Sequence, residues 1–296
     1  MSTSDRPRRL IAALAAALCL TACGGTGGGD GGGAAGTTPT AWPQPVDGTL
    51  TEAMCDVLTP DDFLAEGVDV LRWETREKAP DVSPNAVRCH ALGSHFFWLN
   101  LQPDPVSADL YFQWLLHQQD TAPIAENHVP GADQSWFTVS GTDPQLFVRR
   151  GSLIFGMRVG RMHDDTGFDP RAATATLAGR ALERMPDVGR VATGKPHEMV
   201  LSVNGTNTEQ ATIGYVDPIA VEVVEEKVDL PWTRKILFPA FGQPMSITLD
   251  ASASAPASFT TLPIVTCDIT IDGEEEKRNN GPGPSTFCNG SYAEPR

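Results

Sequence analysis

The sequence predicts two domains: an α+β layer domain, in which helices flank an antiparallel sheet, over residues 47–190, and an all-β sandwich over residues 197–296. Three observations predict this. Capped helical segments alternate with short apolar runs in the first half. Only strand-like runs between turn signals occur in the second. The chain has 296 residues, enough for about two domains of ordinary size.

Residues 24–36 (GGTGGGDGGGAAG) offer no side chains for a core, and the TTPTAWPQP that follows adds proline stiffness. Residues 23–46 therefore read as a tether. Thr59-Pro60-Asp61-Asp62 then opens a short helix, with Thr59 as N-cap, proline in the first turn and acids at the positive dipole end. Gly67 can close it. HFFWLNL, from His95 to Leu101, reads as a buried strand. A second helix starts near Ser107, with Leu110, Trp114 and Leu115 on one face. The short runs QSWFTVS, QLFVRR and SLIFGMRVG read as strands separated by Gly141-Thr142-Asp143-Pro144 and Gly151. Asp169-Pro170 caps a third helix in which Ala173, Leu177, Ala181 and Leu182 recur at helical spacing, and which ends before Pro186.

In the second half MVLSVNG, ATIGYVD, VEVVEEKVDL, SITLDAS, PIVTCDITIDG and STFCNGSY alternate or cluster apolar residues, the spacing of a sandwich. Asp272-Gly273 is a hairpin turn, and the acids Glu274–Glu276 beyond it read as a solvated edge.

Charge narrows the partners. The chain carries a formal −15, and its first 22 residues contribute Arg6, Arg8 and Arg9 against Asp5, so the remainder stands at −17. Such a surface repels phosphate backbones and anionic head groups, which argues against nucleic acid and against a basic membrane-binding face. No run after residue 22 is apolar for long enough to span a bilayer.

The arginines precede an apolar run from Leu10 to Leu20, and Leu20-Thr21-Ala22-Cys23 then leads small residues into a cysteine. This is the order of a secretory signal, and it resembles the signal of bacterial lipoproteins. The resemblance implies a signal peptide over residues 1–22, cleavage before Cys23, and acylation of Cys23 with diacylglycerol as a palmitate-type anchor. The protein is then expected on the extracytoplasmic face of the cell membrane, held by lipid. Cys19 leaves with the signal, so Cys55, Cys89, Cys267 and Cys288 remain for two disulfides. Three pairings are possible, and clustering into one pair per half favours Cys55–Cys89 and Cys267–Cys288, each contributing about 3–4 kcal/mol. The latter pair is expected to tie neighbouring strands.

Met54-Cys55-Asp56-Val57-Leu58-Thr59-Pro60-Asp61-Asp62, then Cys89, then Val129-Pro130-Gly131-Ala132-Asp133 and Phe147-Val148-Arg149-Arg150-Gly151, resemble a disulfide-bearing domain of unknown function found in actinobacterial lipoproteins. That likeness covers most of residues 50–187. Leu230-Pro231-Trp232, MSITLDA, Val265-Thr266-Cys267-Asp268-Ile269-Thr270-Ile271-Asp272-Gly273 and the closing Cys288 are similar to MmpS, the mycobacterial membrane protein small family. This resemblance implies an Ig-like sandwich that assists large exporters of lipids and siderophores. The family's anchor is a transmembrane helix, whereas this chain has the lipobox and an additional domain.

A catalytic site needs a nucleophile with its base, a metal cluster or paired carboxylates. The histidines stand at 90, 95, 117, 128, 163 and 197, and no two share a helical face. There is no Gly-x-Ser-x-Gly elbow, no Cys-x-x-Cys and no Asp-x-Asp-x-Asp-Gly. Adjacent acids such as Asp61/Asp62 and Asp164/Asp165 point apart on a helix. The expectation is a non-enzyme with no catalytic residues, metal or cofactor. Trp98, Trp114 and Trp232 read as core, the last against the Cys267–Cys288 bridge. Trp136 and Phe137, beyond Pro130-Gly131, are the candidates for lining an apolar ligand pocket. The sequence thus favours a lipid-anchored binding or accessory protein of the cell envelope, whose partner is an envelope transporter or an apolar ligand and which assists export of lipidic or siderophore-like cargo. The alternative is a structural or sensory protein that contacts proteins or the cell wall. A pocket in the first domain favours cargo, and a closed core with exposed apolar residues favours contact.

Overall fold

Two kinds of apolar pattern build the two halves. The computed structural model describes residues 41–293 apart from 69, 71, 92–94, 119–127, 139–143, 161–166, 191–193, 255–260 and 279–282. Cys23 and its signal therefore lie outside the described residues, as does His163.

The first half centres on six antiparallel strands, β1 (Thr75–Lys78), β2 (Ala86–His90), β3 (Phe96–Leu101), β4 (Gln134–Phe137), β5 (Gln145–Arg150) and β6 (Leu153–Arg158), ordered β1-β2-β3-β6-β5-β4. Both faces of this sheet are covered, which is why β3, β5 and β6 read as continuous apolar runs rather than alternating ones. On one face Phe97, Leu99, Val148 and Phe155 pack under α3 (Pro170–Arg184), a 3-10 turn over Glu52–Val57 and α1 (Pro60–Ala65). On the other, Trp98, Phe147 and Ile154 pack against α2 (Pro105–Gln118). Cys55 and Cys89 are joined, with Cα atoms 5.8 Å apart, and pin the 3-10 turn to β2.

Helix ends follow local chemistry. The Asp62 carboxylate accepts from the Thr59 N–H (2.7 Å) and hydroxyl (2.8 Å). Asp169 accepts from the N–H groups of Arg171 and Ala172. The C-terminal carbonyls of α3 are met by the buried Arg150, which donates to Leu182 O (2.8 Å) and Met185 O. Arg184 pairs with both oxygens of Asp62 (2.5 and 2.6 Å), and its guanidinium lies over the Trp42 ring at 3.9 Å. Helix α2 starts at Pro105, two residues before Ser107. Asp104 caps it by accepting from the N–H groups of Val106 and Ser107, so this is a second Asp-Pro helix start.

The second half is two four-stranded antiparallel sheets. One is β10 (Trp232–Phe238), β7 (His197–Thr206), β12 (Ile264–Ile271) and β13 (Glu274–Arg278). The other is β14 (Ser285–Tyr292), β11 (Met245–Ala253), β8 (Gln210–Val216) and β9 (Val223–Asp229). Burial alternates along β7, β8, β11 and β12, because one face of each packs inward. Asp272 and Gly273 both have positive φ (51° and 86°), as the β12–β13 hairpin requires. Glu274 is exposed and opens strand β13, which pairs with β12 at the edge of its sheet. Cys267 and Cys288 are joined, with Cα atoms 6.0 Å apart. They stand on strands of different sheets, so this bridge crosses between the sheets instead of tying neighbours. Trp232 is half-buried against Tyr215, and it stands two strands from Cys267, since both oppose Val203.

The halves share a core. One apolar cluster runs from Trp98, Phe147 and Ile154 through Tyr111 and Phe112 of α2 into Met199, Phe238 and Leu249. Helix α2 is thus a wedge between sheet and sandwich. Within residues 39–296 the chain forms one compact unit. No described helix is long and apolar enough to cross a membrane.

Candidate functional site

At the N-terminal end of α2 the seam between sheet and sandwich opens into a cleft of about 430 Å³. Its floor comes from the end of β3. With a period of two, Trp98, Asn100 and Gln102 fall on the face toward the sandwich, and Asn100 and Gln102 are both buried there. Gln102 Nε2 donates to Asn100 Oδ1 (3.1 Å) and to Ala240 O (3.2 Å), stitching sheet to sandwich. Its Oε1 takes no hydrogen bond from the described residues, an acceptor that burial makes costly to leave unused. Asn85 holds one wall by donating to Gly48 O (2.9 Å) and accepting from the Leu50 N–H (2.8 Å).

Two glycines let the walls meet. A Cβ on Gly194 would overlap Pro103, to whose carbonyl the Gly194 N–H donates (3.0 Å). A Cβ on Gly242 would overlap the backbone of Pro80, Asp81 and Ser83. Next to that second contact Tyr111 donates to Val82 O (2.9 Å), and burial pushes its hydroxyl well above the usual tyrosine range.

The polar wall belongs to the sandwich. His197, at the start of β7, is stacked on Phe238 with ring centroids 5.2 Å apart. Its Nδ1 lies 2.6 Å from Asp272 Oδ2 and 3.3 Å from the Tyr292 hydroxyl. Burial raises the Asp272 pKa, but hydrogen bonds from His197 and from the Glu198 N–H outweigh it and hold the carboxyl below its usual range. A carboxylate on Nδ1 fixes the orientation of an imidazole, as it does in catalytic triads. The two hydroxyls among the described lining residues have hydrogen-bond partners of their own, however. Ser152 donates to Gly189 O (3.0 Å), and Ser83 is buried and accepts from the Asn85 N–H (3.4 Å). With Lys195 on the rim, the arrangement suits hydrogen bonding and charge pairing to a polar ligand better than nucleophilic attack.

The candidates read from sequence fall elsewhere. Trp136 is buried and stacked on Phe147 (4.8 Å, 23°) on the α2 face of the sheet. Phe137 is buried on the opposite face, under the Arg171 guanidinium. Neither lines this cleft or the groove described below. His90 is exposed on β2, and buried His95 accepts from the Gly160 N–H (3.1 Å). Among the described residues no group of three or more His, Cys, Asp and Glu could hold a metal.

His197 and Asp272, separated by 75 positions, carry no joint signature in the sequence. The legible clue was Asn100 and Gln102, polar at alternate positions at the end of an apolar strand. No protein-family model matches the chain, and no curated protein matches it.

Proposed function

We propose that the chain is a lipid-anchored, extracytoplasmic binding protein of the cell envelope, acting by binding and not by catalysis, with the cleft at the N-terminal end of α2 as its ligand seat. The observation that carries this reading is the cleft itself: a space of about 430 Å³ with Gln102, Lys195 and His197 in its lining. The lining sets Gln102, Lys195 and His197 into mostly apolar surface, which suits a ligand carrying both polar and apolar groups, such as siderophore-like cargo or a lipid head group. The anchor rests on Leu20-Thr21-Ala22-Cys23 and the glycine-rich tether. The Ig-like, MmpS-like reading of residues 197–296 as a domain of its own is supported by two facing sheets joined by a disulfide between them. It makes an envelope exporter the expected partner.

The test has two arms. Cells fed an alkyne-bearing palmitate analogue should label the wild type and not Cys23→Ala. The purified chain, exposed to envelope extract and washed, should release a polar small molecule by mass spectrometry that Lys195→Glu does not retain. Identical release from both proteins would remove the cleft from the function.

One observation favours the second reading, a protein making structural or sensory contacts. Val216 and Val223 stand opposite each other on β8 and β9, and both are exposed, as is Phe287 on β14. Affinity capture from native membranes that returns a stoichiometric envelope protein, with binding lost in Val223→Glu and kept in Lys195→Glu, would favour contact over cargo.

A further inference from the structure

The seam opens a second time at the C-terminal end of α2, where a groove of about 240 Å³ lies between the helix and the sandwich. Its chemistry differs from the cleft's. Trp114, half-buried on α2, meets Phe241 with ring centroids 5.2 Å apart and planes at 60°. Tyr111 backs both rings, at 5.3 and 6.1 Å. Met245, Val216 and Val221 complete an apolar wall. Among the described residues, the one ionisable group in the lining is Asp217.

The turn that carries Asp217 is tightly held. Asp217 Oδ1 accepts from the N–H groups of Ile219 (2.8 Å) and Ala220 (3.0 Å), while Oδ2 takes no hydrogen bond from the described residues. Backbone bonds from the Asp217 N–H to Glu222 O and from the Val221 N–H to Asp217 O, both 2.9 Å, close it. Within that turn Val221 sits at φ 56°, a left-handed conformation that a β-branched residue rarely adopts, with 51% of its surface exposed at the groove. The strain keeps an apolar side chain and a carboxylate together at the mouth of an aromatic wall.

Aromatic faces attract cations through the ring quadrupole, and the attraction grows where water is partly excluded. A carboxylate beside such faces, in a chain of formal charge −15, selects positive charge further. The volume admits a head group of about ten heavy atoms and not a folded partner. We propose that this groove binds an alkylated ammonium group, whose methyl groups pack on Trp114 and Phe241 and whose charge is balanced by Asp217. The site is separate from the cleft, so this proposal stands or falls apart from the cargo reading.

The test compares choline with its uncharged carbon isostere, 3,3-dimethylbutan-1-ol. Calorimetry is carried out on the full chain in a detergent lacking ammonium groups. Choline should bind saturably and at least about fivefold more tightly than the isostere. Asp217→Asn retains an oxygen for the Ile219 and Ala220 N–H groups, so the turn should persist. It should weaken choline about fivefold and leave the isostere unchanged. Trp114→Phe, which keeps a ring but a weaker quadrupole, should give an intermediate loss. Equal affinity for the two probes would reduce the groove to an apolar pocket and overturn the proposal. So would an Asp217→Asn variant that binds choline like the wild type, or no choline binding up to about 50 mM, an affinity too weak for any site.

Discussion

The two ends of α2 make the instructive comparison. Both openings lie on the same seam, against the same 240–246 stretch of the sandwich, yet one has amide, ammonium and imidazole groups in its lining and the other aromatic rings. At the N-terminal end the helix is entered through Gln102-Pro103-Asp104, and buried hydrogen bonds join sheet to sandwich. At the C-terminal end the join is by rings, Tyr111, Trp114 and Phe241. A hydrogen-bonded join demands partners for every buried group and leaves directional sites where one lacks a partner. A ring join tolerates gaps, because dispersion is non-directional. One interface thereby presents two openings of different chemistry.

The most severe way to break the comparison is to pry the seam open. Gly242→Val should cost about 3 kcal/mol or more by driving a side chain into the Pro80–Ser83 backbone. That lowers Tm by roughly 6–12 °C, and both openings should lose their ligands together. Gly179→Ala, at a helix position with open space around a Cβ, is the control and should be neutral or slightly stabilising. A Gly242→Val protein melting like wild type would show that the seam gives way easily.

A perturbation of similar size but outside the seam sharpens the contrast. Asp62 is mostly buried against Arg184. Burial raises its pKa, but the hydrogen bonds from Arg184 and Thr59 outweigh this and hold it below the usual carboxylate range. A depressed native pKa stabilises at pH values above the unfolded one, and that contribution is lost as pH falls through the native value. Asp62→Asn should therefore cost about 3 kcal/mol at pH 7, and urea midpoints should converge with wild type below about pH 4. Ligand binding at both ends of α2 should be unaffected.

Tyr111→Phe, between the openings, removes one buried hydrogen bond to Val82 O and should cost about 1–1.5 kcal/mol. Because the native pKa is raised, the wild-type hydroxyl favours folding below its unfolded value and loses that contribution above about pH 10. Urea titrations should show the variant's stability declining less steeply there.

The smallest effect is expected at the cleft wall. Asp272→Asn breaks a partly exposed pair, so stability should change by about 0.5 kcal/mol. Its consequence should be local: altered release of the cleft's ligand in the wash assay, with choline titration at the groove unchanged. Coupled losses at both ends would make the two openings one site.

Legibility followed the number of faces an element exposes. Strand β3, the Asp169-Pro170 helix and most sandwich strands could be read directly, because burial there matches a period or a continuous run. Strand β1 is Thr-Arg-Glu-Lys with all four residues exposed, and β10 is polar through Thr233, Arg234 and Lys235. Neither strand has an apolar pattern to read. Helix α2 misled in a different way. Its predicted stripe held Leu110, Trp114 and Leu115, whereas the buried residues are Ser107, Ala108, Tyr111, Phe112 and Leu115. A wedge packed from both sides has no single apolar face, so the half-buried Trp114 is left at the groove. Trp136 and Phe137 stood out as aromatic pocket candidates, but a sheet covered on both faces absorbs them.

By itself the sequence determined where the helices at Thr59-Pro60 and Asp169-Pro170 begin, which cysteines pair within each half, and which apolar runs are strands. These depend on capping groups, chain proximity and residue period, all of short range. Only the tertiary structure decided that Gln102, Lys195 and His197 line one cleft, that His197 meets Asp272 across 75 positions, and that Trp114 and Asp217 line one groove. Those meetings depend on how sheet, helix and sandwich stack. Stacking is set by complementary packing of whole surfaces, which no local pattern encodes.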